Sequence, residues 1–159
     1  MIRLVRNANV LSDEFEYDES DPDGYRAGMA RVGKTAGGEE LAVKAFSLPP
    51  GQSLCPYHYE YVEEWLLVLD GEVVVRTPEG ERKLGRGGLM CFPAGPGGAH
   101  KVSNAGDGDA RIVMFSSAHE PAVAVYPDSD KIGVWPGNPD DHVMLRRADG
   151  QVGYYDGER

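Results

Sequence analysis

From Leu41 onward the chain reads as short apolar or alternating runs separated by turn residues. Leu41–Leu48 (LAVKAFSL) predicts a strand that stops at Pro49-Pro50-Gly51. Glu64–Asp70 is nearly all apolar and predicts a second strand, and Asp70-Gly71 predicts a hairpin turn after it. Glu72–Thr77 alternates, with Val73 and Val75 on one face. Thr77-Pro78-Glu79-Gly80 turns back into Glu81–Leu84. Leu89–Phe92 follows and ends at Pro93, and beyond the loop Ala94–Ala99 come His100–Ser103 and, after another turn, Ala110–Ser116. Seven or eight short strands with no long helical period predict an antiparallel sandwich or barrel. On this pattern residues 1–40 form a polar arm, 41–118 the barrel, and 119–159 a tail. The tail aromatics Tyr126, Trp135, Tyr154 and Tyr155 are expected to pack back on the barrel or on a partner.

Composition narrows the classes. A chain of 159 residues fits one domain and can bury a core without disulfide staples. Its net charge of −10 argues against nucleic acid or an anionic membrane as partner, since both need a basic face. No apolar run approaches the roughly 20 residues of a membrane helix, and MIRLVRNANVL has no apolar stretch of signal-peptide length. Two cysteines, Cys55 and Cys91, suit a reducing cytoplasm. The acidic cluster Asp13–Asp23 fails as a calcium loop, because Ala30 stands where a bidentate Glu is needed; it reads as a solvated arm.

Two segments carry the candidate chemistry. The first is Gly51-x6-His58-x-Glu60-x3-Glu64-x6-Gly71, the second Gly87-x5-Pro93-x-Gly95-x4-His100-x3-Asn104. Even spacing along a strand puts side chains on one face, so His58 points with Glu60, Glu64 with Leu66 and Val68, and His100 with Val102. If that face is the barrel interior, two imidazoles and two carboxylates converge in an apolar cavity. Ionisable groups there need pairing or a metal, and two His with one or two carboxylates make a metal-ligand set. The spacing alone is equally compatible with two surface histidines near acidic neighbours.

These two segments resemble the paired motifs of the cupin superfamily, small jelly-roll (double-stranded β-helix) barrels. By that resemblance His58 takes the first His position, Glu64 the Glu and His100 the second-motif His. Gly71, Gly87, Pro93, Gly95 and Asn104 fall on structural positions. The chain departs from the pattern twice. Glu60 stands where a second His is expected, and the Gly95–His100 gap is two residues longer than usual. The resemblance spans about residues 41–118 and extends to the tail, which is similar to those of single-domain bacterial cupins. It implies an all-β barrel, one divalent metal ion (Fe, Mn, Zn or Ni), a small-molecule ligand and a homodimer.

Glu60 is then the residue with most chemical consequence. As a fourth ligand beside His58, Glu64 and His100 it hardens the site; off the metal it is a general base. Cys55 reads as a small buried side chain near the cavity rim, Cys91 as core, and Asn104 as a turn residue. Glu63 should face away from Glu64. A metalloenzyme of dioxygenase or isomerase/lyase type, and a non-catalytic module for a small molecule or sugar, both follow from the same barrel.

Overall fold

The computed structural model describes residues 5–158; Met1–Leu4, at the start of the expected arm, and Arg159 lie outside them. Twelve strands are present among the described residues. They are β1 (Gly28–Ala30), β2 (Leu41–Leu48), β3 (Tyr59–Glu60), β4 (Glu64–Asp70), β5 (Glu72–Thr77) and β6 (Gly80–Gly85), followed by β7 (Leu89–Phe92), β8 (Lys101–Ser103), β9 (Ala110–Ser117), β10 (Ala122–Tyr126), β11 (Lys131–Trp135) and β12 (Val143–Arg146). Helix is confined to single turns such as α1 (Val32–Thr35) and α2 (Arg147–Gly150). No helix among the described residues is long and apolar enough to cross a membrane.

One antiparallel sheet runs β1-β2-β9-β4-β7. Facing it, β6-β5-β8 and β12-β11-β10-β3 are joined by the antiparallel bridges His58↔His100 and Ser53↔Ser103. The result is the all-β jelly-roll barrel expected from the turn-rich pattern. Its core is made by alternate residues: Phe46 and Leu48 of β2, Leu66 and Val68 of β4, Val73 and Val75 of β5, Val102 of β8 and Ile112 and Met114 of β9. Asn104 is buried behind them as a turn residue. Its amide donates to the carbonyls of Leu48 (2.7 Å) and Gly108 (2.8 Å), and its oxygen accepts from Gly106 N.

Two expectations are corrected. Asp70-Gly71 is not a hairpin, because β4 and β5 belong to opposite sheets. The chain turns a corner there. Gly71 takes φ +75°, and a Cβ on it would stand 2.9 Å from Ala110 Cα; an Asp-Gly pair permits a left-handed bend without dictating which strands pair. The true hairpin is β5–β6 across Pro78-Glu79. Cys91 is exposed rather than core. Met90 and Phe92 take the inward positions of β7, so strand alternation turns the residue between them outward.

The segments flanking the expected barrel also build sheet. β1 extends the first sheet by pairing with β2, and β10 pairs with β3 through Ala124↔Glu60 and Val125↔Tyr59. A second apolar layer of Tyr57, Tyr59, Ala99 and Val125, with Ile132 against it, covers the outer face of that sheet.

Candidate metal centre

The site stands where the two sheets face each other at one end of the core. His58 and His100 exchange backbone hydrogen bonds (3.1 and 2.8 Å), which places their side chains on one side; the ring centroids are 4.7 Å apart. Glu64 opens β4 with the inward parity of Leu66 and Val68, and it pairs across the sheet with Phe92. The Phe92 ring lies flat on His100, centroids 3.6 Å apart and planes 7° off parallel. The Gly95–His100 spacing is taken up by a single 3-10 turn, Pro96–Gly98.

Both imidazoles are tied back in the same way. His58 Nδ1 lies 3.0 Å from the Pro56 carbonyl and His100 Nδ1 2.9 Å from the Gly98 carbonyl. A carbonyl can only accept, so each Nδ1 carries the proton and each Nε2 keeps its lone pair. Those Nε2 atoms point at Glu64 Oε2 from 3.7 Å (His58) and 3.8 Å (His100), with the carboxylate only 12% exposed. Both distances are too long for hydrogen bonds. His100 Nε2 is buried with no hydrogen-bond partner, an arrangement that costs free energy in a finished core.

Ionisation agrees with this geometry. Burial drives the Glu64 pKa up to about 8, and the Glu60 charge adds to the shift against an opposing Lys44. Burial drives His100 down to about 4 and lowers His58 as well. At neutral pH the group therefore holds two neutral imidazoles and a protonated carboxyl. These are not ion pairs. They are three donors that could hold a cation in place of the Glu64 proton.

The donors fit a divalent metal. The ligand atoms of His58, Glu64 and His100 all lie within 4.8 Å of one another. Donors bind a zinc-like cation at about 2.0–2.2 Å, so neighbouring ones stand roughly 3–3.5 Å apart; the two carboxylate–imidazole separations of 3.7 and 3.8 Å lie close to that range. The carbonyl-anchored imidazoles are already in the ligating tautomer. The chemistry of the set, two His and one carboxylate, suits Mn, Fe or Zn.

Glu60 is not a member of that three-donor group. It sits one inward step along from His58, opposite Ala124, and burial raises its pKa against the Lys44 charge. Glu63 faces away as expected, accepting from Trp65 Nε1. Of two further neighbours, Cys55 reads from the sequence as a buried side chain near the rim, and Tyr126 was not legible as a site residue. Cys55 Sγ lies 3.4 Å from His58 Nδ1, and burial pushes its thiol up to about 12. Tyr126 comes from β10, outside both motifs. Continuing the β10–β3 register sets it beside His58, and their rings lie 5.8 Å apart at 27°. Burial first, then Cys55, Glu60 and Glu64, push its phenol up to about 12. The period-two pattern of Ala122–Tyr126 was the available signal.

Comparison with known proteins agrees with the fold. Residues 44–116 match the family model described as Cupin domain. No curated protein matches the chain. Among solved structures, a protein of Acidithiobacillus ferrooxidans provisionally named a sugar phosphate isomerase superposes with a TM-score of 0.77 at 21% identity, over 88% of this chain and 89% of that one. A sugar phosphate isomerase from a cupin superfamily, from Silicibacter pomeroyi, gives 0.75 at 24% identity, over 91% and 95%. The Bacillus subtilis oxalate decarboxylase, which has Mn(II) centres, gives 0.50 at 17% identity, over 65% and 29%. At these identities the likeness is one of fold.

Proposed function

With a cupin domain over residues 44–116 as the premise, we propose that this protein binds one divalent metal ion through His58, Glu64 and His100 and acts with it on a small-molecule substrate. The observation that carries this reading is His100 Nε2, buried and without a partner, aimed at a carboxyl that burial keeps protonated. A metal satisfies both groups at once. Bound there, it would act as a Lewis acid that polarises a substrate oxygen.

The rest of the chemistry belongs to the chain. Pro56 and Gly98 hold the imidazole tautomers, and Phe92 covers one face of His100. Glu60, off the ligand group and on the same face as His58, is in this reading the base that removes and returns a substrate proton. A free carboxylate of raised basicity beside the metal group favours isomerase or lyase chemistry. A second reading rests on the donor count: two His and one carboxylate is also the set used by iron oxygenases.

Metal analysis of protein purified from its own host tests the first claim, with His100→Ala as control. Metal-free protein that gains no thermal stability from Mn, Fe, Ni or Zn would overturn it. Oxygen uptake with candidate substrates separates the two chemistries, since proton transfer consumes none.

A further inference from the structure

The row that carries the two histidines continues past the metal group. Across neighbouring strands it runs His100, His58, Tyr126 and Lys131, the last paired with Tyr126 in the β10–β11 register. Directly paired residues share a face. Tyr126 lies between the two, with His58 5.8 Å away and Lys131 Nζ 5.3 Å from its ring centroid. From the opposite sheet, Lys44 takes the inward parity of β2 ahead of Phe46 and Leu48. It is paired with Met114, itself paired with Leu66, one step along β4 from Glu64. Phe46, Leu48, Leu66 and Met114 are all core, so Lys44 is the exposed end of an interior row, at the barrel mouth.

Among the described residues neither lysine's side chain has a hydrogen bond or a salt bridge, Lys131 contacting only the Tyr126 ring. That is unexpected in a chain with 26 acidic and 16 basic residues, where Arg76 is paired with Asp128 and Lys83 with Glu72. Two ammonium groups without a salt bridge thus face the space above the donors from opposite sheets. Lys44 acts on the Glu60 and Glu64 charges from there, and Tyr126 stands between Lys131 and His58.

We propose that Lys44 and Lys131 bind an anionic group of the substrate. The ligand class is then a small organic acid or phosphate ester whose hydroxyl or oxo end reaches His58, Glu64 and His100. Two strand spacings separate the His58 and Lys131 backbones, roughly 9–10 Å, which a short carbon skeleton spans. Tyr126 lies along that skeleton and contributes a phenol to its hydroxyl or oxo groups. This proposal rests on the metal reading above and deepens it by naming what the site takes.

Mn(II) titration of the apoprotein, with no anion present, tests the metal reading alone. Mn(II)-loaded protein is then titrated calorimetrically with malate, 2-phosphoglycolate and the neutral polyol erythritol. At least one anion should bind and erythritol should not; which anion binds tighter tells carboxylate from phosphate. Lys44→Met and Lys131→Met should each weaken the anion about tenfold or more, with the Mn(II) affinity of Lys131→Met held within about twofold, and Lys131→Arg should restore binding. Unchanged anion affinity in the double variant, erythritol binding as tightly as the anions, or neither anion binding would each overturn the proposal. If Mn(II) fails to bind, the metal reading falls, and the same titrations on metal-free protein decide the role of the lysines.

Discussion

His58 and His100 are held by one device used twice: each Nδ1 donates to a backbone carbonyl two residues earlier in the chain, at 3.0 and 2.9 Å. The rings meet 4.7 Å apart with their free nitrogens turned to the same carboxyl. The first expectation concerns that pair. His58→Ala and His100→Ala should each abolish metal retention, because two donors rarely hold what three do. Wild-type protein at a hundredfold excess of metal over its dissociation constant should gain about 2.7 kcal/mol of stability, and both variants should gain almost none. Thermal melts with and without Mn(II) or Zn(II) measure this directly.

Glu64 makes the metal-free protein pH-sensitive. Its folded pKa, raised to about 8, exceeds the ordinary 4.5, so its contribution is fully present below about pH 4.5 and is lost as pH rises through 8. His100 runs the other way. Lowered from 6.5 to about 4, it contributes fully above pH 6.5 and loses that contribution as pH falls through 4. Between pH 6.5 and 8 His100 no longer contributes, and the Glu64 slope runs at up to about 1.4 kcal/mol per pH unit. In the presence of chelator, wild type should therefore lose stability over that window relative to Glu64→Gln, as read by urea denaturation. Parallel curves would sink the assignment.

Gly98 fixes the loop that orients His100. A Cβ on Gly98 would stand 1.8 Å from the Pro93 carbonyl oxygen, while one on Gly97 meets nothing within 4 Å. Gly98→Ala must move backbone against backbone and with it the carbonyl that holds His100 Nδ1. We expect a stability loss of about 2 kcal/mol or more and a metal affinity about 10–100-fold weaker. Gly97→Ala should change neither. Denaturation midpoints and Mn(II) titrations of the two variants make the comparison.

Arg76 and Asp128 clamp the tail turn after Tyr126 to the barrel through two contacts of 2.5 and 2.9 Å, with Arg76 stacked 3.9 Å over Tyr57. Both side chains are about half exposed. Such pairs contribute roughly 0.2–1 kcal/mol, so Asp128→Asn should shift stability by less than about 1 kcal/mol, and less still in high salt.

The barrel was legible because its strands alternate: Val73, Val75, Leu66 and Val68 sit where period two put them, and His58, Glu64 and His100 came with them. Polar side chains on an apolar face are a local signal. The Asp70-Gly71 corner was not legible, since a left-handed glycine serves a hairpin and a sheet-to-sheet turn equally well. Cys91 was misplaced because a four-residue strand of apolar letters hides which face is inward. Tyr126 and Lys131 lay beyond reach for a different reason. Their place in the site depends on β10 pairing with β3 across more than sixty intervening positions, and turn chemistry does not report such non-local register.

The role of Glu60 can be decided by the size of one change. If it were a fourth ligand, Glu60→Gln would remove a charged donor and metal affinity would fall by about tenfold or more. As an unligated base its charge acts on the metal in two opposed ways: it attracts the cation directly, and it raises the Glu64 pKa. Removing that charge lets Glu64 release its proton more readily, and metal binding requires the released form. That gain offsets the lost attraction, so Glu60→Gln should hold metal affinity within a few-fold of wild type at pH 7. Turnover of a proton-transfer substrate should nevertheless fall by about 10²–10⁴-fold. Competition against a chelator of known affinity at pH 6.5, 7.5 and 8.5 reads the first outcome without any substrate. A large loss of affinity at all three values would put Glu60 on the metal and take the base out of the mechanism.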